Sequence, residues 1–188
     1  MPTNLATLTT KAVSVYVFTL LAAIFILFPD NSRPDQFAHF LSDQVNDGFQ
    51  IFAHLLMFFT GWRLRSWRPV VYDITVALLV TSVVQLSKRF LIADIAIRPS
   101  GGYEGFPSGH ASATFSLAFV LSLYYPRLWW IWYCIAGLVT WSRVQTNAHT
   151  ELQISAGMLF GSIVAYTVAL IMKRKKQGDV SSASTTKK

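Results

Sequence analysis

Six apolar runs restrict the possible folds of this chain more than any other feature of its sequence. None of the six contains Lys or Arg, and they cover residues 12–28, 49–62, 69–87, 111–125, 128–141 and 152–172. A helix of about 20 residues, within a range of about 17 to 25, crosses the hydrocarbon core of a bilayer. The second and fifth runs are shorter, so we expect those helices to extend into polar flanking residues. The sequence therefore predicts an all-α fold, an integral membrane bundle of six transmembrane helices.

The small share of charged residues agrees with lipid as the main solvent. They make up 13% of the 188 residues, about half of their share in a soluble domain. Six helices leave no residues for a second domain, so we predict one membrane domain over residues 1–172. The segment 173–188 is mostly Lys, Ser and Thr, a composition that predicts a basic, disordered tail.

The positive charges predict the orientation of the bundle. Of the 16 basic residues, 11 fall on the side of the N-terminus when the six runs alternate across the membrane. Because cytoplasmic loops carry the excess of Lys and Arg, we expect both termini in the cytoplasm of a cell (inner) membrane. The membrane orientation then accounts for the net charge of +7, because most basic residues lie on the cytoplasmic side. We therefore expect no nucleic acid partner.

Two polar segments lie between the apolar runs, and both carry Arg and His. The first covers residues 98–110 and the second residues 142–149. An Arg side chain is a permanently charged fork that suits phosphate oxygens, and a Ser-Gly-His sequence that opens a helix directs free N–H groups toward an anion. Alternating helices put both segments at the outer face of the membrane. We therefore expect one shared phosphate site there.

These residues resemble the membrane branch of the type 2 phosphatidic acid phosphatases, whose motifs are K-x6-R-P, P-S-G-H and S-R-x5-H-x3-D. Arg98-Pro99 ends the first motif, and Pro107-Ser108-Gly109-His110 is the second in full. Ser142-Arg143, followed after five residues by His149, forms the third up to its last position. The resemblance implies a six-helix membrane hydrolase that removes phosphate from a lipid phosphate or diphosphate.

Two positions depart from the family pattern. Leu91 stands where the first motif has Lys, with Lys88 and Arg89 shortly before it, and Gln153 replaces the Asp of the third motif. The string from His149 to Gln153 is similar to the H-T-x-x-Q of dolichyl diphosphatases. That similarity favours a polyprenyl diphosphate, such as undecaprenyl diphosphate, as the substrate.

The resemblance also implies roles for these residues. His149 attacks phosphorus and forms a phosphohistidine, as a neutral imidazole can, and His110 protonates the departing oxygen as a general acid. Gln153 accepts the Nδ1–H of His149 and orients it, so we expect Gln153→Asp to keep activity and to gain most on monophosphate lipids. The phosphate-binding groups are then Arg98, Ser108, the N–H of Gly109, Arg143, and either Lys88 or Arg89.

Two other functions remain open, and no cofactor is expected. A phosphotransferase of the same fold would pass the phosphoryl group to a lipid acceptor, and a non-catalytic membrane protein would only bind lipid phosphates. Clusters of Cys, His, Asp and Glu with metal-ligand spacing are absent from the sequence, so no metal is implied.

Three local features give further structural predictions. Residues 29–48 are expected to include a short helix at the membrane surface. Asp73, the only carboxylate inside an apolar run, is expected to pair with Arg68 or Arg65. Gly157 and Gly161 form a G-x-x-x-G pattern, for which we expect helix packing.

Overall fold

The computed structural model describes residues 36–91 and 93–185, with side chains described as far as Arg174. Over this part of the chain the structure contains helices and no strand. Helix α1 (Gln36–Phe40) continues through a π-helical segment (Leu41–Val45) into α2 (Asn46–Arg63). The longer helices that follow are α3 (Arg68–Phe90), α4 (Gly109–Tyr124), α5 (Trp129–Gln145) and α6 (Glu151–Thr185), with 3-10 turns at Asp94–Ala96 and Pro126–Leu128.

Five of the six predicted apolar runs correspond to α2 through α6, and the run 12–28 lies outside the described residues. Within the described part, α3 and the stretch Glu151–Arg174 are long and apolar enough to cross a membrane, with mean hydropathies of 1.8 and 2.0. Helices α2, α4 and α5 have only 18, 16 and 17 residues. The count of six spans therefore stays a prediction.

The C-terminal helix extends further than the predicted domain boundary at residue 172. Helix α6 runs to Thr185, which includes most of the segment expected to be a disordered tail. The Lys, Arg and Gln residues after position 172 are good helix formers, which agrees with a helical backbone there. The boundary between domain and tail remains a prediction.

Helix α4 lies at the centre of the bundle. Every residue from Ala111 to Ser122 is buried except Ala113, as expected for a helix surrounded by neighbours. Its hydroxyl groups donate to carbonyls of the preceding turn, as in the bonds of Thr114 to His110 and of Ser122 to Phe119, each 2.8 Å long. These internal bonds let polar residues occupy the core without unpaired hydrogen-bond donors.

The G-x-x-x-G pattern of α6 packs directly against α4, which confirms the predicted helix packing within one chain. A Cβ atom on Gly157 would lie 2.6 Å from the carbonyl oxygen of Ser108, and one on Gly161 would overlap the backbone of Ser112. The two helices can approach this closely only because both glycines lack side chains. The contact fixes the start of α4 beside the start of α6.

We expect Gly161→Ala to destabilise the protein by about 1–3 kcal/mol, the usual cost of overpacking a tight core. The added methyl group would push α6 away from α4. Gly137→Ala in α5 is the matched control, because a Cβ at Gly137 has nothing within 4 Å, and helix propensity favours Ala there. Thermal unfolding in detergent measures both variants, and equal unfolding temperatures would contradict the packing argument.

The predicted partner of Asp73 is wrong. Its Oδ2 atom lies 2.8 Å from Nδ1 of His54, while Arg65 and Arg68 are exposed. Asp73 is 3% exposed, so its carboxylate lies inside the bundle while both arginines lie at the surface. The short helix predicted within residues 29–48 is present as α1 and the π segment.

The helix directions bring the two polar segments to one end of the bundle. Helices α3 and α5 end there, and α4 and α6 begin there. The opposite end carries exposed basic residues in the short connections, namely Arg63, Arg65, Arg68 and Arg127. The predicted juxtaposition of residues 98–110 and 142–149 therefore follows from the topology.

Candidate active site

A sharp turn after α5 explains the spacing between Arg143 and His149. Asn147 has a φ of 54°, its N–H donates to the Val144 carbonyl, and the N–H of Ala148 donates to the Arg143 carbonyl. This is the Schellman pattern of helix termination, with Asn in the left-handed position. The N–H of His149 also donates to the Arg143 carbonyl, at 3.1 Å. The chain thus turns back, and His149 lies over the end of the helix that carries Arg143.

Helix α6 begins with a capping box made by Thr150 and Gln153. The N–H of Gln153 donates to Oγ1 of Thr150 at 3.3 Å, and the N–H of Thr150 donates to Oε1 of Gln153 at 3.1 Å. This reciprocal pair satisfies two N–H groups at the helix start. The T-x-x-Q sequence therefore fixes the backbone of Thr150, the residue that follows His149.

Gln153 also ties α6 to the loop before α4. Its Nε2 donates to the carbonyls of Ile95 and Ile97, at 3.0 and 2.7 Å, and its backbone carbonyl accepts the N–H of Ser108 at 3.0 Å. Gly105 passes so close that a Cβ there would meet the Gln153 side chain and lie 2.7 Å from the Ala96 carbonyl oxygen. The Gln153 side chain is fully buried and holds the loop in place.

These bonds determine the tautomer of His149. Because Nε2 of Gln153 donates to two carbonyls, Oε1 must face His149, where it lies 3.2 Å from Nδ1. The Gly105 carbonyl lies 3.0 Å from the same Nδ1. Both neighbours are acceptors, so Nδ1 carries the proton. The Nε2 atom of His149 is left with a free lone pair, as a nucleophile requires.

The start of α4 presents polar groups that are unpaired in the described structure. Ser108 is the N-cap residue but makes no side-chain cap, and its buried Oγ has no hydrogen-bond partner. Gly109 and His110 follow as the first helical residues, half-buried, with N–H groups that have no partner within the helix. These groups can bind an anion at the helix start.

The loop that carries Arg98 folds into a tight turn. The N–H of Arg98 donates to the Gly102 carbonyl at 3.0 Å, and Gly101 and Gly102 have φ values of 94° and 85°, which glycine adopts without strain. Nη2 of Arg98 donates to the Glu104 carbonyl at 3.0 Å and lies 3.7 Å from its carboxylate. The buried Nε of Arg98 has no partner.

The structure brings Lys88 to the site and leaves Arg89 outside. Nζ of Lys88 lies 3.6 Å from the position that a Cβ on Gly109 would take, whereas Arg89 is exposed. Helix α3 continues to Phe90, so Lys88 lies on the turn that faces α4. The lysine therefore lies beside Gly109 at the start of α4, although it precedes the family position by three residues.

Burial lowers the pKa of His149 from 6.5 to about 4, and the positive charge of Arg143 adds to this effect. The Gln153 hydrogen bond opposes the shift, and Arg98 and Lys88 extend it. His149 is therefore neutral at pH 7. Its lone pair on Nε2 is available throughout the physiological range.

Burial likewise lowers the pKa of His110 from 6.5 to about 4, with further lowering by Arg143 and Lys88. The carboxylates of Asp47 and Asp43 act in the opposite direction. His110 is neutral in the empty site. A bound phosphate would bring negative charge next to this imidazole and raise its pKa.

The site thus combines a fixed imidazole with cations and unpaired donors. Within the described part of the chain, no group of three or more His, Cys, Asp or Glu side chains is placed to hold a metal ion. The groups present suit an anion with several oxygens, because Arg, Lys and helix N–H groups all donate to oxygen.

Sequence reasoning missed two residues that contact this site. Nη1 of Arg143 donates to Oγ of Ser42 and lies 3.9 Å from Oδ1 of Asp43. Both residues belong to the π segment, about a hundred positions before Arg143, and match no motif. The acidic character of residues 30–47 was the only signal in the sequence.

Comparison with known proteins identifies relatives over most of this chain. The PAP2 superfamily model matches residues 12–177. The bacitracin transport permease protein BcrC of Bacillus licheniformis is 35% identical over 65 residues, which cover 35% of this chain and 32% of that protein. The putative undecaprenyl-diphosphatase YbjG of Escherichia coli (strain K12) is 31% identical over 123 residues, 58% of this chain and 61% of that protein. Neither relative is matched over two thirds of its own length.

A solved structure also aligns with this chain. The crystal structure of the first transmembrane PAP2 type phosphatidylglycerolphosphate phosphatase from Bacillus subtilis matches 87% of this chain and 96% of its own. The TM-score is 0.49 and the sequence identity is 20%.

Proposed function

The chain belongs to the PAP2 superfamily, and from this premise we propose that it is an integral membrane phosphatase that hydrolyses a lipid phosphate or diphosphate. One observation carries the proposal most directly: at the candidate site three buried polar atoms have no partner among the described residues, namely Ser108 Oγ, Arg98 Nε and Arg143 Nε. Unpaired buried donors are costly, and a phosphate group would pair with all three. The neutral imidazole of His149 belongs to the same site.

The reaction proceeds in two displacements. In the first, Nε2 of His149 bonds to phosphorus while the bond from phosphorus to the leaving oxygen breaks, and His110, whose pKa the bound phosphate raises, gives its proton to that oxygen. Arg98, Arg143 and the N–H groups at the start of α4 stabilise the charge on the remaining phosphate oxygens. In the second, a water oxygen attacks phosphorus, the N–P bond breaks, and His110 accepts the proton of the water. Inorganic phosphate and the dephosphorylated lipid are the products.

A diphosphate fits this site better than a monophosphate. The leaving group from a lipid diphosphate is a lipid phosphate, which is a stable anion and needs little protonation. The burial that lowers the pKa of His110 opposes the rise caused by bound phosphate, so departure of an alkoxide, which depends most on this proton, would be slow. The similarity to YbjG, a putative undecaprenyl-diphosphatase, supports a polyprenyl diphosphate as the substrate here.

Phosphate release by the purified protein tests this function. The substrates are undecaprenyl diphosphate, phosphatidylglycerophosphate, phosphatidate and lipid A in detergent micelles, each with excess chelator and without an acceptor alcohol. We expect release from the diphosphate to be fastest and unaffected by the chelator. Release only after an acceptor is added would identify a phosphotransferase, and binding without release would identify a lipid-phosphate-binding protein.

The low pKa of His149 predicts activity at unusually low pH. Because its pKa is about 4, the nucleophilic form persists above that value and is lost only as the pH falls through 4. The value of kcat/KM reports the ionisations of the free enzyme. After correction for the ionisation of the substrate, measured by ³¹P NMR, we expect the acid limb of kcat/KM below pH 5. A limb centred at 6.5 would contradict the burial of an uncharged imidazole.

The orientation of the site is a second part of the proposal, with the phosphate site on the outer face and both termini in the cytoplasm. It is tested with single cysteines in a Cys134→Ser background, Ser100→Cys at the site end and Arg127→Cys at the opposite end. Both positions are exposed. In intact cells we expect an impermeant thiol reagent to label only the cysteine at position 100. Labelling of only the one at position 127 would reverse the orientation.

A further inference from the structure

The guanidinium of Arg143 is held at one end and free along one edge. Nη1 donates to Oγ of Ser42 and lies 3.9 Å from Oδ1 of Asp43, while the buried Nε has no partner. An Arg side chain binds phosphate best through two parallel N–H groups. A guanidinium fixed through Nη1 can present its Nε edge to such a ligand without first losing rotational freedom.

The π segment places both contacting residues on Arg143. In this segment the N–H of Asn46 donates to the carbonyls of Leu41 and Asp43. The bond to Leu41 spans five residues instead of the four of an α-helix, which gives a wider turn. Ser42 is 1% exposed and faces α5, whereas the Asp43 side chain is 64% exposed and stands at the rim. Such π turns are frequent at functional sites.

We infer that Ser42 and Asp43 are positioning residues for phosphate binding, and that they act through Arg143. The inference rests on the proposed function. Ser42 fixes the guanidinium with its free edge toward the phosphoryl group. Asp43 offers the same guanidinium a competing anion at the mouth of the site, which favours release of the product phosphate.

Two expectations follow for single variants. Ser42→Ala should lower kcat/KM by about 10- to 100-fold, the scale of effect for a misplaced catalytic contact. It should also weaken inhibition by orthovanadate more than inhibition by inorganic phosphate, since vanadate mimics the transition state. Asp43→Asn should strengthen inhibition by inorganic phosphate about two- to fivefold, as expected for an exposed ion pair. Ser42→Thr keeps a hydroxyl group and should restore most of the activity.

Matched controls distinguish an effect on the orientation of Arg143 from a loss of folding stability and from a change in net charge. Ser162→Ala removes another buried serine, whose Oγ donates to the Met158 carbonyl at 2.8 Å in α6, and should leave vanadate inhibition unchanged. Asp94→Asn removes another exposed carboxylate, outside the groups that shift the pKa of Arg143 and His110, and should alter phosphate inhibition less than Asp43→Asn. Because the Asp43 side chain is exposed, its substitution should leave the packing of the core unchanged.

A double-mutant cycle provides the decisive measurement. If Ser42 acts through the guanidinium, Ser42→Ala should cost little in an Arg143→Lys background, because the Lys ammonium cannot make the same fork. Equal costs in both backgrounds, or a Ser42→Ala variant with the vanadate inhibition of the parent protein, would overturn the inference. If the parent protein releases no phosphate from any lipid in the panel, the proposed function fails instead.

Discussion

Replacing His149 with alanine is expected to abolish phosphate release, with a loss on the order of 10⁴- to 10⁶-fold, as for removal of a nucleophile or its base in other hydrolases. The reason is geometric. Its Nδ1 donates toward the Gly105 carbonyl and Gln153 Oε1, so only Nε2 is free to attack. Rapid quench into alkaline SDS with ³²P-labelled substrate should trap a phosphoenzyme in the parent protein, stable in base and hydrolysed in acid, and none in His149→Ala.

Two further histidine variants complete this test. His110→Ala should slow formation of the phosphoenzyme more than it weakens substrate binding, because in the proposed mechanism this imidazole protonates the leaving oxygen. His39→Ala is the control, since His39 is exposed in α1. A fully active His149→Ala protein, or a phosphoenzyme that survives this substitution, would end the proposed mechanism.

The meeting of the two polar segments could be predicted from the sequence because it depends only on helix alternation. Each apolar run reverses the direction of the chain, so residues 98–110 and 142–149 had to share one end of the bundle. Some local structure could also be predicted from the sequence. The Asn147 turn and the Thr150 capping box follow known helix signals, although only the structure shows that they carry His149 back over Arg143.

Contacts between distant segments could not be predicted. The bond from Arg143 to Ser42 joins positions 101 residues apart, and the sequence contains no pattern that pairs them. Asp73 was assigned to the nearest cations along the chain, but its burial directs it to His54 in α2. The choice of Lys88 over Arg89 likewise depended on which side of α3 faces α4.

Gln153 is the residue whose expected role changes most with the structure. As an orienter alone, it could be replaced by Asp. In the structure its Oε1 accepts from Thr150 and His149 while its Nε2 donates to the Ile95 and Ile97 carbonyls. An Asp side chain is one methylene shorter and has no donor, so it cannot hold the loop that carries Arg98.

We therefore expect Gln153→Asp to lose activity on both diphosphate and monophosphate lipids, contrary to the expectation from sequence. Gln153→Ala should lower kcat by about 10²- to 10³-fold, since second-sphere partners of a reacting group contribute on that scale. It should also lower the unfolding temperature, because each buried polar group left unpaired costs about 1–3 kcal/mol. Gln85→Ala, at an exposed amide of α3, is the control for both measurements.

The variant Gln153→Glu separates the two roles of the amide, because it keeps the shape and the acceptor for His149 but replaces the donor with an oxygen. That oxygen would face the carbonyls of Ile95 and Ile97, which lie 3.0 and 2.7 Å from the present nitrogen. Burial beside two carbonyl oxygens favours the protonated carboxyl group over the ionised one. The protonated form can donate to one carbonyl, and the ionised form to neither. We therefore expect the ratio of variant to parent kcat/KM to rise as the pH falls from 8 to 5, whereas a ratio independent of pH and close to one would show that the loop needs no donor at this position.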